Sequence, residues 1–283
     1  MKIRNFKSIV SKYKVVFFDA FGVLKNAHGR IDGVDRTIDY LNAQGIGYYV
    51  LTNDASRSPE LLADSYHRVG LHDITPDKII SSGMLASEYL RYKVKKGKVA
   101  YLGTPNSAHY IETLSLTAIP IGELDPATAE DVEVVVFLDD EGFDWNRDIN
   151  KVINLLRHRN IPAIVANSDK AYPVSKNEVA AAIGAIANMV EDVTGKRIIR
   201  FGKPDAQMFI YAYEHVQPMH PVDKNDILMV GDTLGTDILG GNKFGLDTVM
   251  VLSGNTPAHL AKQYIQATGI TPTYICESAA ITE

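Results

Sequence analysis

The tightest constraint on this chain is a repeated pattern of short apolar runs, each without alternation and each ending near a polar residue. KVVFFD (Lys14 to Asp19), GYYVLTN (Gly47 to Asn53), KVAYLG (98–103), EVVVFLD (133–139), IPAIVAN (161–167), DILMVGD (226–232) and DTVMVLS (247–253) share it. A strand with one wet face alternates polar and apolar residues. A continuous run is buried on both faces, as in a parallel sheet covered by helices. Helical patterns fill the gaps. One spans Val34 to Ala43 and stops at Gly45. Another opens on Ser58, Pro59 and Glu60, which supply an N-cap, a proline where no N–H is needed, and an acid at the positive helix end; it runs to about Val69, before Gly70. An Ala-rich helix is expected from about Asn177 to Thr194, ending at Gly195. Strands alternating with helices predict an α/β fold with a parallel sheet and right-handed crossovers.

Composition narrows the function classes. With Lys+Arg 29 against Asp+Glu 34, the net charge of −5 argues against nucleic acid as a partner. The chain has 283 residues, enough for a large core without disulfides or a structural metal. Its single cysteine, Cys276, excludes an internal disulfide or a zinc site built on cysteine pairs, and fits a reducing compartment. The opening MKIRNFKSIVSKYK lacks the apolar region of a secretory signal, and no run reaches the ~18 apolar residues of a membrane span. A cytoplasmic protein without a membrane partner is expected.

Function is written at the strand ends. Asp19 closes the first strand, Thr52 and Asn53 the second, and Asp232 the ILMVGD strand. Ligands of open α/β sheets bind outside the carboxyl ends of the strands, so separate strands deliver polar groups to one rim. Lys203, in FGKPD just before a helix starting near Pro204, can join them. Gly22 permits a sharp turn after Asp19. Asp232 and Asp237, five apart in MVGDTLGTDI, suit a hard, oxygen-liking cation such as Mg²⁺. Thr52 and nearby backbone N–H groups suit phosphoryl oxygens, and Lys203 suits developing negative charge. Taken one at a time, each has an ordinary reading: an Asx turn, a helix cap, a surface lysine.

Taken in order, the set resembles the haloacid dehalogenase superfamily, and most nearly its subfamily IIA of sugar phosphatases and 4-nitrophenylphosphatase-like enzymes. The resemblance rests on DAFG (19–22), LTNDASRSPE (51–60), GRIDGVDRTIDYLNAQG (29–45), VANSD (165–169), VTGKRIIRFGKPD (193–205) and GDTLGTD (231–237), and covers nearly the whole chain. It implies a Rossmann-like core of residues 1–84 and 203–283 with a large inserted αβ cap of residues 85–202. It also implies a Mg²⁺-dependent hydrolase of a small phosphorylated metabolite, such as a sugar phosphate. Asp19 would be the nucleophile. Mg²⁺ would sit on the Asp19 carboxylate, the Phe21 carbonyl and Asp232, with Asp237 as a ligand or an organiser. Thr52, Asn53 and Lys203 would hold the phosphoryl group. By position in the cap loop ANSDKAYP (166–173), Asn167 and Asp169 would face the substrate. The resemblance also admits a homodimer.

One departure matters. Phosphatases of this superfamily carry Asp-x-Asp-Gly, and here Phe21 stands in place of the second acid. The backbone carbonyl survives the change; the general acid does not, a loss of ~10²–10⁴-fold for a poor leaving group. Asp54, Asp169 and His28 are candidate substitutes. Two alternatives follow from Phe21: a dehalogenase-like hydrolase, whose branch also has an aromatic residue there, or a metabolite-binding, regulatory protein on a weakened scaffold. The basic run RYKVKKGK (91–98) is read as a solvated helix end. The acidic LDDEGFDW (138–145) is read as a solvated loop in preference to a second metal site.

Overall fold

The computed structural model describes residues 2–125, 129–175 and 178–282. In chain order its strands are β1 (Val15–Phe18), β2 (Lys25–Asn26), β3 (Gly29–Arg30), β4 (Gly47–Thr52), β5 (Ile79–Ser81), β6 (Lys98–Leu102), β7 (Thr117–Pro120), β8 (Val132–Phe137), β9 (Ala163–Val165), β10 (Ala171–Ser175), β11 (Glu178–Ala181), β12 (Ile199–Arg200), β13 (Ile227–Gly231), β14 (Asp247–Val251) and β15 (Tyr274–Cys276). The backbone divides into two compact units. One comprises Met1–Thr52, Pro59–Ile80 and Lys203–Glu283; the other comprises Asn53–Ser58 and Ser81–Gly202.

The first unit is built on a sheet of order β15-β14-β13-β1-β4-β5. β1 pairs in parallel with both β4 and β13. The chain fills one side of β1 with β4 and β5, and the other with β13 to β15. The strand order therefore reverses between β1 and β13, the switch point where ligand crevices form. The apolar runs occupy the sheet as their lack of alternation requires: β1, β4 and β13 are buried at every residue. Helix Val34–Gln44 packs Val34, Ile38 and Leu41 into a core with Val16, Phe18, Val50, Leu228 and Val230. Gly45 ends it in a left-handed conformation.

The second unit carries its own sheet, of order β12-β9-β8-β6-β7, with parallel pairs throughout. Its core joins Val135, Phe137, Ile149, Leu156, Ile183 and Val190. Here one expectation is corrected. Residues 178–181 form β11, antiparallel to β10 with Ala171 opposite Ala181, and the helix begins only at Ile183. Glu178, Val179 and Ala181 are exposed, so no apolar stripe holds them to a helix face, and pairing with β10 overrides alanine's helix preference. Asn177 lies outside the described residues. Among the described residues, no helix is long and apolar enough to cross a membrane.

Candidate active site

Strand register assembles the site in the first unit. Phe18 of β1 lies beside Val50 of β4 and Val230 of β13. One further residue along β1 is Asp19, and two further along its neighbours are Thr52 and Asp232. All three emerge at the same carboxyl rim. The Asp19 N–H donates to the Val230 carbonyl at 2.8 Å, which fixes the exit of β1.

Asp237 reaches the rim by a different route. Residues Leu234–Ile238 form a single wide helical turn, in which the Ile238 N–H reaches back to the Thr233 carbonyl at 3.4 Å. Such π-type turns are frequent at functional sites. The Thr233 N–H donates to Asp237 Oδ2 at 3.1 Å. Asp232 is held as firmly: the Thr233 hydroxyl donates to its Oδ1 at 2.7 Å, and the Asn255 N–H to its Oδ2 at 2.7 Å. Gly22 sits at φ +81°, and a Cβ there would strike Asp232 Oδ2. Only glycine lets the turn after Asp19 pass so close to this carboxylate.

Lys203 ties the cluster together. Its ammonium donates to Asp19 Oδ1 at 2.6 Å and to Asp237 Oδ1 at 2.7 Å. The lysine is 2% exposed and Asp237 1%, whereas the Asp19 side chain retains 16%. Asp19 is thus the member that solvent and solutes can reach. Burial alone would lower the Lys203 pKa; the Asp19 and Asp237 carboxylates outweigh it and hold the ammonium above its ordinary value. Burial, then the Asp19 charge, pushes Asp232 up to about 6. Burial also raises Asp237, against the opposing pull of Lys203.

One ammonium therefore bonds two carboxylates of a cluster of three, with oxygens from Asp19, Asp232 and Asp237 all within 4.8 Å of one another. The donor set is all oxygen and it holds surplus negative charge. These residues fit a hard divalent cation.

Comparison with known proteins shows the family. A haloacid dehalogenase-like hydrolase model matches residues 16–117, and a related hydrolase-like model of the same group matches residues 200–280. A crystal structure described as a possible sugar phosphatase of the haloacid dehalogenase superfamily, from Cytophaga hutchinsonii, is 57% identical. It superposes with a TM-score of 0.96 over 100% of both chains. The chain belongs to the haloacid dehalogenase superfamily. More distant relatives span nearly the whole chain as well. Chronophin of Bos taurus is 28% identical over 97% of this chain and 93% of its own. An acid sugar phosphatase of Staphylococcus aureus is 27% identical over 94% and 95%. The fold class is that of the superfamily: a Rossmann-like core with a large αβ insertion, in the manner of subfamily IIA.

Within this superfamily scaffold, the remaining candidates separate by unit. Asn53, Asp54, Asn167 and Asp169 belong to the second unit. There the Asn53 side-chain amide donates to Asp169 Oδ1 at 2.9 Å, and Asn167 Oδ1 accepts from the Asp169 N–H at 2.9 Å. Asp54 Oδ1 accepts from the Ser56 N–H and hydroxyl at 2.8 and 2.6 Å, the Asx turn that sequence allows at this place. His28 is exposed at the tip of the β2–β3 hairpin and does not join the acidic cluster.

The acidic stretch after β8 is more organised than a solvated loop. Thr104 Oγ1 donates to Asp139 Oδ2 at 3.4 Å, and the Tyr172 hydroxyl to Asp140 Oδ2 at 3.0 Å. Burial, then the Asp140 and Asp54 charges, pushes Asp139 up to about 6. The signal available in sequence was its position two residues past the buried end of β8, close to the clue that marks Asp19 directly after β1.

The folded chain holds the Asp139 proton more tightly than the unfolded chain does, so this group costs stability as pH rises from about 4 through about 6. We expect Asp139→Asn to stabilise the protein at pH 7 by roughly 1 kcal/mol, solvent screening included, and to give no gain near pH 4. Urea denaturation at both pH values checks this; an equal gain at both would contradict it.

Proposed function

We propose that the chain is a Mg²⁺-dependent phosphatase of a small phosphorylated metabolite, of the sugar phosphate class, working through an aspartyl-phosphate on Asp19. The observation that carries this reading is the Lys203 ammonium bonded at once to Asp19 and Asp237. It binds Asp19 through Oδ1 and so leaves Oδ2 to act as the nucleophile. The sugar phosphatase descriptions of the C. hutchinsonii and S. aureus relatives support the substrate class. A cytoplasmic location fits the single, buried Cys276.

The residues divide the work. In the first step Asp19 Oδ2 attacks phosphorus, the bond to the leaving oxygen breaks, the phosphoryl group passes to Asp19, and the leaving oxygen departs as an anion that takes its proton from water. In the second, water attacks phosphorus, the Asp19 oxygen leaves, a proton of that water passes to solvent, and inorganic phosphate and the free carboxylate are restored. Splitting one displacement into two lowers each barrier. Lys203 balances the charge of the transferring group and fixes the attacking carboxylate; Thr52 and Asn53 orient the phosphoryl oxygens. Asp237 holds Lys203 in place. Mg²⁺ on Asp19, Asp232 and the Phe21 carbonyl, with Asp237 beside it, would supply Lewis-acid stabilisation of the phosphoryl oxygens.

Phe21 sets the limits of this site. With no acid at position 21 to protonate the leaving oxygen, esters of acidic alcohols should react far better than alkyl phosphates. Phe21 also supports a second reading, in which the site binds a phosphorylated metabolite with little turnover.

Two measurements test the proposal. Hydrolysis of 4-nitrophenyl phosphate should fall about hundredfold or more on chelation of divalent metal and be abolished in Asp19→Asn. Activity indifferent to both would overturn the mechanism, and metal-free halide release would favour carbon–halogen cleavage. Phe21→Asp should raise kcat/KM on alkyl phosphates by about 10²-fold or more while changing 4-nitrophenyl phosphate much less. Equal effects on both substrates would show that position 21 does not limit proton transfer. No gain, together with tight metabolite binding, would favour the binding reading.

A further inference from the structure

Asn53 and Gly202 are the second unit's residues directly bonded to Thr52 and Lys203, two groups of the first unit's rim. Both are unusually constrained. Asn53 is 3% exposed, its carbonyl accepts from the buried Ser82 hydroxyl at 2.8 Å, and its amide donates to Asp169 Oδ1 at 2.9 Å. Gly202 sits at φ +100°, and a Cβ there would come within 2.5 Å of Asn53 Oδ1. The Asn53 side chain is thus wedged between Asp169 and the backbone at Gly202. The loop that carries Asp169 is itself anchored. The Ser168 hydroxyl donates to the Phe201 carbonyl at 2.7 Å, next to Gly202. Asn167 holds the Asp169 N–H, and Gly184 admits the loop backbone against its helix, since a Cβ there would lie 2.5 Å from the Asp169 carbonyl.

The geometry points to Asp169 as a positioning residue: through Asn53 and Ser168 its loop clamps together the two chain crossings that precede Lys203 and follow Thr52. This deepens the phosphatase reading and rests on it for its kinetic consequence. A charged acceptor makes the stronger hydrogen bond to a neutral amide. One bond away from a catalytic group, a small shift is costly, because displacement by about an ångström can lower the rate about 10²-fold. Asp169 then acts on kcat through the backbone and not by touching substrate or moving a proton. An Asn at 169 keeps an oxygen for the Asn53 amide; an Ala does not.

The test compares Asp169→Ala, Asp169→Asn and Asn53→Ala in the full chain with Mg²⁺ and 4-nitrophenyl phosphate. We expect Asp169→Ala to lower kcat about tenfold to hundredfold with KM little changed, and Asp169→Asn to recover most of the loss with an unaltered pH profile. Asp169→Ala combined with Asn53→Ala should cost no more than the worse single change. Amide hydrogen exchange, independent of turnover, should rise at residues 52–54 and 200–203 in Asp169→Ala and stay near wild type in Asp169→Asn. If Asp169→Asn is as damaged as Asp169→Ala, or removes one limb of the pH profile, Asp169 meets the substrate directly and the proposal is wrong. Unchanged exchange in Asp169→Ala also overturns it. Wild-type protein without phosphatase activity but with the expected exchange pattern would sink the phosphatase reading and leave the clamp standing.

Discussion

The site depends on one buried cation. The Lys203 ammonium lies between Asp19 and Asp237, at 2.6 and 2.7 Å, and is almost wholly shielded from water. Burying such a charge is costly, and leaving one partner unpaired typically costs about 3–5 kcal/mol. The fold must therefore deliver all three groups together. Asp19 arrives at the end of the central strand. Asp237 arrives from a wide helical turn after β13. Lys203 arrives where the chain re-enters the first unit, immediately before the helix Ala206–Val216. The same pairing leaves surplus negative charge among Asp19, Asp232 and Asp237, a donor set that suits a divalent cation.

Topology explains why these groups can meet. β1 lies between β13 and β4, strands that are far apart in sequence, and the reversal in strand order opens the sheet at their carboxyl ends. The second unit occupies the chain between β5 and Lys203, apart from the short excursion Asn53–Ser58. Three of the four crossings between the units, at Thr52/Asn53, Ile80/Ser81 and Gly202/Lys203, thus fall at a strand end or a candidate site residue. Asn53 and Gly202, beside two of these crossings, are held by the contacts that the Asp169 loop makes.

Much of this was legible in the sequence. Continuous apolar runs located β1, β4, β6, β8, β9, β13 and β14, because burial on both faces leaves no alternation. Polar residues at the run ends located Asp19, Thr52 and Asp232, because a residue just past a buried strand has nowhere to go but the rim. Other elements were silent for physical reasons. β12 is two residues long, and its pairing with β9 is a tertiary contact with no local pattern. The 178–181 segment reads as helix because alanine favours helices, yet its partner β10 decides its state. The acidic stretch after β8 looked solvated by composition, whereas the hydrogen bonds from Thr104 and Tyr172 depend on residues far away in the chain. The Asn53–Asp169 bond joins positions 116 apart and leaves no trace in spacing.

The central claim is that Asp19, held by Lys203, becomes covalently phosphorylated. Rapid acid quenching of the Mg²⁺-loaded protein during turnover of 4-nitrophenyl phosphate, followed by peptide mass spectrometry, addresses it directly. The account predicts one phosphoryl group on the peptide that contains Asp19, lost in Asp19→Asn and sharply reduced in Lys203→Met. Continued turnover with that peptide unmodified, or with the phosphoryl group on another residue, would contradict it.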